Sequence, residues 1–435
     1  MKPDTFAGLD LARFSGLDIS RYRLVLRAVE PASLPAFLGS TLRGAFGHAL
    51  KDAVCVMPHR NCDRCMVMDR CLYPYLFETA PPEHASQLKG QQQAPHPFIL
   101  TPDEAQAASL RSSRLPSDAA PDIALAGPCD GSRSGNGAAG PSAQGPANLE
   151  VAQAASLRSS PVPSTAAVGA SGPRLLKQPL NLRPRVSVSP PPGVVPSEHR
   201  ILLRPGDAIS FDLVLLGRAI DYMPYIVFAV SEMARRGLGA NRTRFELDQV
   251  TMLGLTDERP IYSCRTQRIS SPPDARTPLS ELIRARRAEL SLDSPDSLDS
   301  PDSLDLHFLT PTRIRIDGDA QFSLSFNLLI RSLLRRLSLL AEVHGRGALD
   351  LDYRGLIERA AQIRVRQSRL RWWDFERYSN RQRCKMKLGG FVGEIEYEGD
   401  AISEFLPLIA AGEILHVGSN TTFGLGSYET SRSDN

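Results

Sequence analysis

The chain has 435 residues, of which 42% are hydrophobic, and a formal net charge of +3. That length is enough for two or three domains with real cores, and so small a charge names no polyanionic partner by itself. No apolar run reaches the roughly 18 residues of a membrane span, and the opening MKPDTFAGLD lacks the basic start and apolar run of a secretory leader, so neither is expected.

In chain order, residues 22–29 (YRLVLRAV) alternate apolar and polar and predict a strand. Residues 39–54 (GSTLRGAFGHALKDAV) put Leu42, Phe46, Ala49, Leu50 and Ala53 at helical spacing, with Ser40 as the expected N-cap. His48 and Lys51 fall on the other face, three residues apart, and so are neighbours on the helix surface. Gly44 and Gly47 weaken the helix but let a ligand or another chain approach its backbone.

Cys55, Cys62, Cys65 and Cys71 follow at once, spaced C-x6-C-x2-C-x5-C. Thiolates separated by two residues can hold one metal ion in a tight turn, and four close a tetrahedral shell. Structural zinc is the first expectation; an iron–sulfur cluster or no metal are the alternatives, and His59 could replace one ligand. A closed site of this kind staples a loop and does no catalysis. Clustered cysteines, odd in total, also point to a reduced, cytoplasmic setting rather than a disulfide framework.

Residues 95–100 (PHPFIL) predict a short strand. From about residue 101 to 198 the chain is rich in Ala, Ser, Pro and Gly and repeats AQAASLRSS, which reads as a disordered insertion. Pattern returns with a strand at 208–216, a helix at 221–237 and a strand at 244–253. The helix carries Tyr225, Phe228, Ala229, Glu232 and Met233 at helical spacing and stops at Gly237 and Gly239. Strand, helix, two strands, helix, strand is the βαββαβ ferredoxin-like unit, here within residues 1–255.

Residues 256–305 read as a linker ending in an acidic SLDSPD repeat, and residues 306–435 repeat the first pattern. Strands are expected at 307–316, 370–378, 385–397 and 422–429, and helices at 322–343 and 402–414. The fold class is therefore α+β: tandem ferredoxin-like domains with a cysteine-cluster loop and a long disordered insertion.

Two stretches of the second domain suggest chemistry. Between Arg359 and Lys387 there are ten Arg or Lys against two acidic residues, Asp374 and Glu376. Arg371, Arg377, Arg381, Arg383, Lys385 and Lys387 interleave there with Trp372, Trp373, Phe375 and Tyr378. Cations can track phosphates while aromatic faces stack on bases, although strand alternation should send some of these positions into the core. Residues 412–428 (GEILHVGSNTTFGLGSY) space Gly418, Gly424 and Gly426 around Ser419, Asn420, Thr421 and Thr422. Backbone N–H groups of such a loop suit phosphate oxygens; a glycine-bulged sheet edge is the alternative.

Residues 39–51 (GSTLRGAFGHALK), the cysteine cluster, 308–313 (FLTPTR), 377–382 (RYSNRQ) and 412–426 together resemble a known family. It is that of the CRISPR-associated endoribonucleases that process precursor CRISPR RNA, in the repeat-associated mysterious protein (RAMP) superfamily. The resemblance implies a glycine-rich loop that contacts RNA, and cleavage within the repeat without a catalytic metal. The expected ends are a 2′,3′-cyclic phosphate and a 5′-hydroxyl; the expected partners are CRISPR repeat RNA and other CRISPR effector subunits, with no membrane.

In that reaction a 2′-hydroxyl loses a proton and a 5′-oxygen gains one, tasks an imidazole performs near neutral pH. A nearby cation stabilises the phosphoryl charge. His48 and Lys51 are accordingly the expected catalytic pair, with His416 in reserve and Tyr73 and Tyr75 as candidates to orient a hydroxyl. RNA contacts are expected from Arg43, Arg377, Arg381, Gln382, Lys385, Lys387 and His416. The loop residues Gly418, Ser419, Asn420, Thr421, Thr422, Gly424 and Gly426 complete the set. Relatives are expected to carry a basic residue just after the first glycine, where this chain has Ser419. The rival readings are a non-catalytic RNA-binding RAMP subunit that holds guide RNA, and a protein-interaction scaffold organised by the thiolate site.

Overall fold

The computed structural model describes residues 5–6, 9–81, 94–103, 200–270, 272, 275–292, 303–316, 319–321, 323–379 and 384–431. Nearly all of the expected insertion, and most of the SLDSPD repeat, lie outside the described residues.

The first domain is built from β1 (Asp18–Ala28), α1 (Gly39–Val54), a short α2 (Leu72–Phe77), β2 (Phe98–Pro102), β3 (Ala208–Leu216), α3 (Met223–Arg236) and β4 (Phe245–Leu253). Its antiparallel sheet runs β2-β3-β1-β4, the order of a ferredoxin-like unit, and β5 (Glu258–Ser263) extends the β4 edge. Alternation in β1 turns Tyr22, Leu24 and Leu26 toward the helices, where they share a core with Phe46 and Leu50 of α1 and Ile226 and Val230 of α3.

Local details depart from the sequence pattern. Ser40 lies inside α1; Leu38 occupies the N-cap position without a side-chain bond, and Ala53 is exposed. On α3 the core takes Ile226, Val227, Val230 and Met233, leaving Tyr225 and Phe228 58% and 55% exposed. Several faces of that helix are apolar enough to bury, and the sheet beneath it chooses among them. The expected linker contains β5 and a true helix, α4 (Leu279–Leu292), whose Leu279, Leu282 and Ile283 are buried.

The second domain comprises β6 (Ser303–Thr312), α5 (Phe326–His344), α6 (Tyr353–Ala360), β7 (Arg364–Ser368), β8 (Arg371–Ser379), β9 (Cys384–Glu398), α7 (Ile402–Leu415) and β10 (Tyr428–Ser431). The end of the acidic repeat, Ser303–Asp305, thus belongs to a strand. Sheet order is β7-β9-β6-β10, with β8 pairing β9 beyond β7 along the same edge, so the ferredoxin-like topology recurs with its second strand in two pieces. The last strand is shorter than expected, because Thr421–Phe423 makes a 3₁₀ turn before it.

One core joins the domains. Leu17, Ile19, Ile99 and Val214 of the first domain pack with Phe326, Leu333, Phe405 and Leu408 of the second. No described helix is long and apolar enough to cross a membrane.

Candidate functional site

α1 forms because its apolar positions meet β1 and α3, and its opposite side is left bare. His48 is exposed, and Gly44, one turn before it, has no atom within 4 Å of where a Cβ would stand. A substrate backbone can therefore approach α1 closely beside the imidazole. Lys51 is placed differently. Its Nζ lies 4.7 Å from the Tyr73 ring centroid. Burial opposes its charge, but Tyr73, Cys62 and Glu78 outweigh that, and its pKa is raised.

The other end of α1 is locked to the glycine-rich loop. A Cβ on Gly39 would stand 1.8 Å from the Phe423 carbonyl oxygen, so only glycine permits this contact. Arg43 places its guanidinium 4.7 Å from the Phe423 ring and 5.2 Å from Phe77, and its Nε donates to Thr422 Oγ1 at 3.1 Å. Arg43 is thus a half-buried clamp at the junction, not the open RNA contact that was expected.

The loop is held from within by the FLTPTR segment. Ser419 N–H donates to Arg313 O (2.9 Å), Gly426 N–H to Pro311 O (3.2 Å) and Thr310 Oγ1 to Gly424 O (2.8 Å). Gly426 has φ +78°, and a side chain there would meet Val417 O at 1.9 Å. Thr421, Thr422, Gly424 and Gly426 are buried, Gly418 and Ser419 are half-buried, and Asn420 alone of the predicted loop residues is exposed. Whatever the loop offers to a ligand is concentrated at residues 418–420.

His416 is also interior, at 3% exposure. Its Nδ1 faces Leu425 O at 3.1 Å and its Nε2 faces Thr101 Oγ1 at 3.2 Å. A neutral ring satisfies both, donating from Nδ1 and accepting at Nε2. Burial, then the nearby Arg336, lowers its pKa to about 3, so the reserve catalytic candidate is a joint residue. Two further histidines, half-buried His96 and buried His344, with no warning in the sequence, complete this junction. His96 bonds Thr79 Oγ1 at 3.0 Å, and burial followed by Arg43 lowers its pKa to about 3. His344 donates to Pro95 O at 2.7 Å, and burial lowers its pKa to about 4.

Trp372, Trp373 and Phe375 do not form an open stacking platform. Trp373 is buried with Phe37 and Phe423; Phe375 sits 4.9 Å from Phe37; Trp372 is half-buried against the main core, with Arg313 5.5 Å from its ring. Part of the basic stretch is neutralised by neighbouring elements: Arg359 pairs with Glu404, Arg366 with Glu396 and Arg369 with Glu394. Arg377, Lys385 and Lys387 lie on the β8–β9 ladder, where Arg377 is opposite Met386 and Lys387 opposite Glu376. Arg381 and Gln382 are outside the described residues.

Tyr75 and Tyr73 are packed rather than presented. Tyr75 lies under Arg218, 4.4 Å from its ring, and burial raises its pKa to about 12; Tyr73 stacks on Phe77 at 5.4 Å. The four cluster cysteines are half-buried free thiols that line one small cavity with Lys51 and Arg60. Among the described residues, no three His, Cys, Asp or Glu side chains stand at metal-holding spacing.

Residues 306–428 match the family model for the CRISPR-associated endoribonuclease Cas6. Residues 17–114 and 175–274 match the AF_1859 N-terminal domain family. A 69-residue stretch is 36% identical to an uncharacterised protein of Archaeoglobus fulgidus and spans 22% of that relative. Among solved structures, a partial Cas6-RT-Cas1–Cas2 complex aligns at TM-score 0.47 and 12% identity, over 96% of this chain and 47% of that one. A Thermus thermophilus Cas6 aligns at TM-score 0.42 and 13% identity, over 95% and 98% of the two chains. The chain thus spans about half the length of the first of these neighbours and about a fifth of the curated relative. With TM-scores this low, the strand orders of the two sheets are the firmer ground for the fold.

Proposed function

We propose that this chain, whose residues 306–428 form a Cas6-family domain, is an endoribonuclease that cuts CRISPR repeat RNA. The 2′-oxygen beside the scissile phosphate forms a bond to phosphorus as the bond to the 5′-oxygen breaks. The products are a 2′,3′-cyclic phosphate and a 5′-hydroxyl. His48 either takes the proton from the 2′-hydroxyl or gives one to the leaving 5′-oxygen, and solvent water carries the other transfer. The reaction as proposed needs no metal ion, because nucleophile and leaving group belong to the same substrate and His48 with water carries the two proton transfers. The cut RNA stays in contact with the loop tip at Gly418, Ser419 and exposed Asn420, and with the basic β8–β9 ladder.

One observation carries this reading: His48 is exposed beside the open backbone at Gly44, on a helix whose first turns are locked to the glycine-rich loop. His48 lies five residues beyond Arg43, roughly 7.5 Å along the helix axis, so RNA held at the loop passes within reach of α1. Lys51, held over the Tyr73 ring, supports the helix end rather than the phosphate.

That engagement also favours the second reading, a non-catalytic subunit that holds guide RNA among other CRISPR effector proteins, since α1 then offers a phosphate one group instead of two. Incubating the protein with repeat RNA in the presence of chelator separates the two. Cyclic-phosphate ends that disappear in His48→Ala support the nuclease; tight binding without any cut by the native chain rejects it.

A further inference from the structure

We infer that Cys55, Cys62, Cys65 and Cys71 bind one zinc ion, and that Lys51 and Arg60 are the outer cations of that site. Backbone geometry places the four thiols around one cavity. Cys62–Arg64 forms a 3₁₀ turn, with Cys65 N–H donating to Cys62 O at 3.0 Å. Side chains three apart eclipse in such a turn, so the Cys62 and Cys65 thiols project to the same side. A second 3₁₀ turn, Met68–Arg70, delivers Cys71 in the same way, while Cys55 is the C-cap of α1, its N–H bonded to Lys51 O at 2.9 Å.

All four then line one cavity of ≈ 10 Å³, roughly the space of a single water-sized sphere. No carboxylate lines it. Four thiols that bind a divalent ion release four protons to solvent and leave a net charge of −2. Lys51 and Arg60 line the same cavity and offset that charge. Arg60 also pairs with Asp52 of α1, so the ion would fasten residues 55–71 to the end of the helix that carries His48. Donor chemistry selects zinc over hard cations. Because no three such side chains among the described residues stand at metal-holding spacing, binding has to draw the thiols inward.

The test uses the full-length reduced protein, stripped with chelator and titrated with Co(II). One equivalent should produce a thiolate-to-cobalt charge-transfer band that Zn(II) displaces, and Zn(II) should protect four thiols from Ellman's reagent. Chelator should lower the melting temperature without altering RNA ends made by the molecules that stay folded. Cys65→Ser should lose the band; Lys51→Met should keep one metal per chain but release it at least several-fold faster. Because the serine variant could fail to fold, thiol protection in the native chain is the deciding measurement. No band and no protection, a brown iron–sulfur chromophore, or disulfides among the four in the protein as isolated would each overturn the assignment. None of these outcomes depends on whether the chain cuts RNA.

Discussion

Along α1, Gly44 and His48 face open space, whereas every residue from Thr421 to Tyr428 in the glycine-rich segment is buried. Both regions contain glycines, but for opposite reasons. At Gly44 the missing side chain leaves room for something outside the protein. At Gly39 and Gly426 it leaves room for the protein's own carbonyl oxygens, 1.8 and 1.9 Å from where a Cβ would stand. A glycine-rich stretch is therefore no sign of a ligand until its neighbours are known. Here most of it is a joint, with a short exposed tip at Asn420.

The comparison can be broken most sharply at His48. His48→Ala should slow cleavage by about 10²–10⁴-fold, the usual worth of a general acid or base, with RNA affinity and melting temperature nearly unchanged. Single-turnover kinetics beside filter binding would check this, and an equal loss of affinity would make His48 a contact rather than a catalyst.

In the loop the loss should be structural. Gly426→Ala combines a left-handed backbone with a collision at Val417 O and should cost about 3 kcal/mol or more, measured by denaturant unfolding. A variant of native stability that has lost RNA binding would show that the loop serves the ligand first.

Acid probes the same joint. Burial holds His96 and His416 at about 3 and His344 at about 4, below the roughly 6.5 of a free imidazole. The unfolded chain therefore binds more protons as pH falls. Stability is full above about pH 6.5 and is lost toward pH 4 and 3, by about 2 kcal/mol per ring between pH 7 and 5. His96→Gln should flatten that slope in unfolding curves taken across this range.

Arg43→Met should lower stability by about 1–2 kcal/mol, through the lost ring contacts and hydrogen bond, and should leave the salt dependence of RNA binding unchanged. A slope that falls by about 0.7 per phosphate would place Arg43 on the RNA after all. The smallest change is expected at the tip: Ser419→Lys should raise RNA affinity a few-fold and steepen the salt slope by about 0.7, because its side chain is half-exposed.

Much of the fold was legible because it rests on local periodicity. The spacing in residues 39–54 and 208–216 reproduces α1 and β3 to the residue, and Phe326, Leu329, Ile330, Leu333, Leu337 and Leu340, which stand at helical spacing in the sequence, are all buried in α5. Prediction failed where two faces of one element compete. Tyr225 and Phe228 have the same spacing as their buried neighbours, and only the sheet beneath α3 leaves them outside. The basic window was real, but Glu394, Glu396 and Glu404, which neutralise part of it, lie beyond its end in sequence and beside it in space.

The sequence by itself determined the βαββαβ pattern in both halves, the exposure of His48 and the crowding of four cysteines, because each follows from residue spacing along one element. Tertiary structure alone decided that the glycine-rich loop is mostly a joint, that Arg43 and Trp373 fasten the domains, and that His416 is sealed. Those outcomes depend on atoms far apart in the chain, such as Phe423 against Gly39 and Thr101 against His416. Burial and hydrogen bonding across such distances leave no period in the sequence.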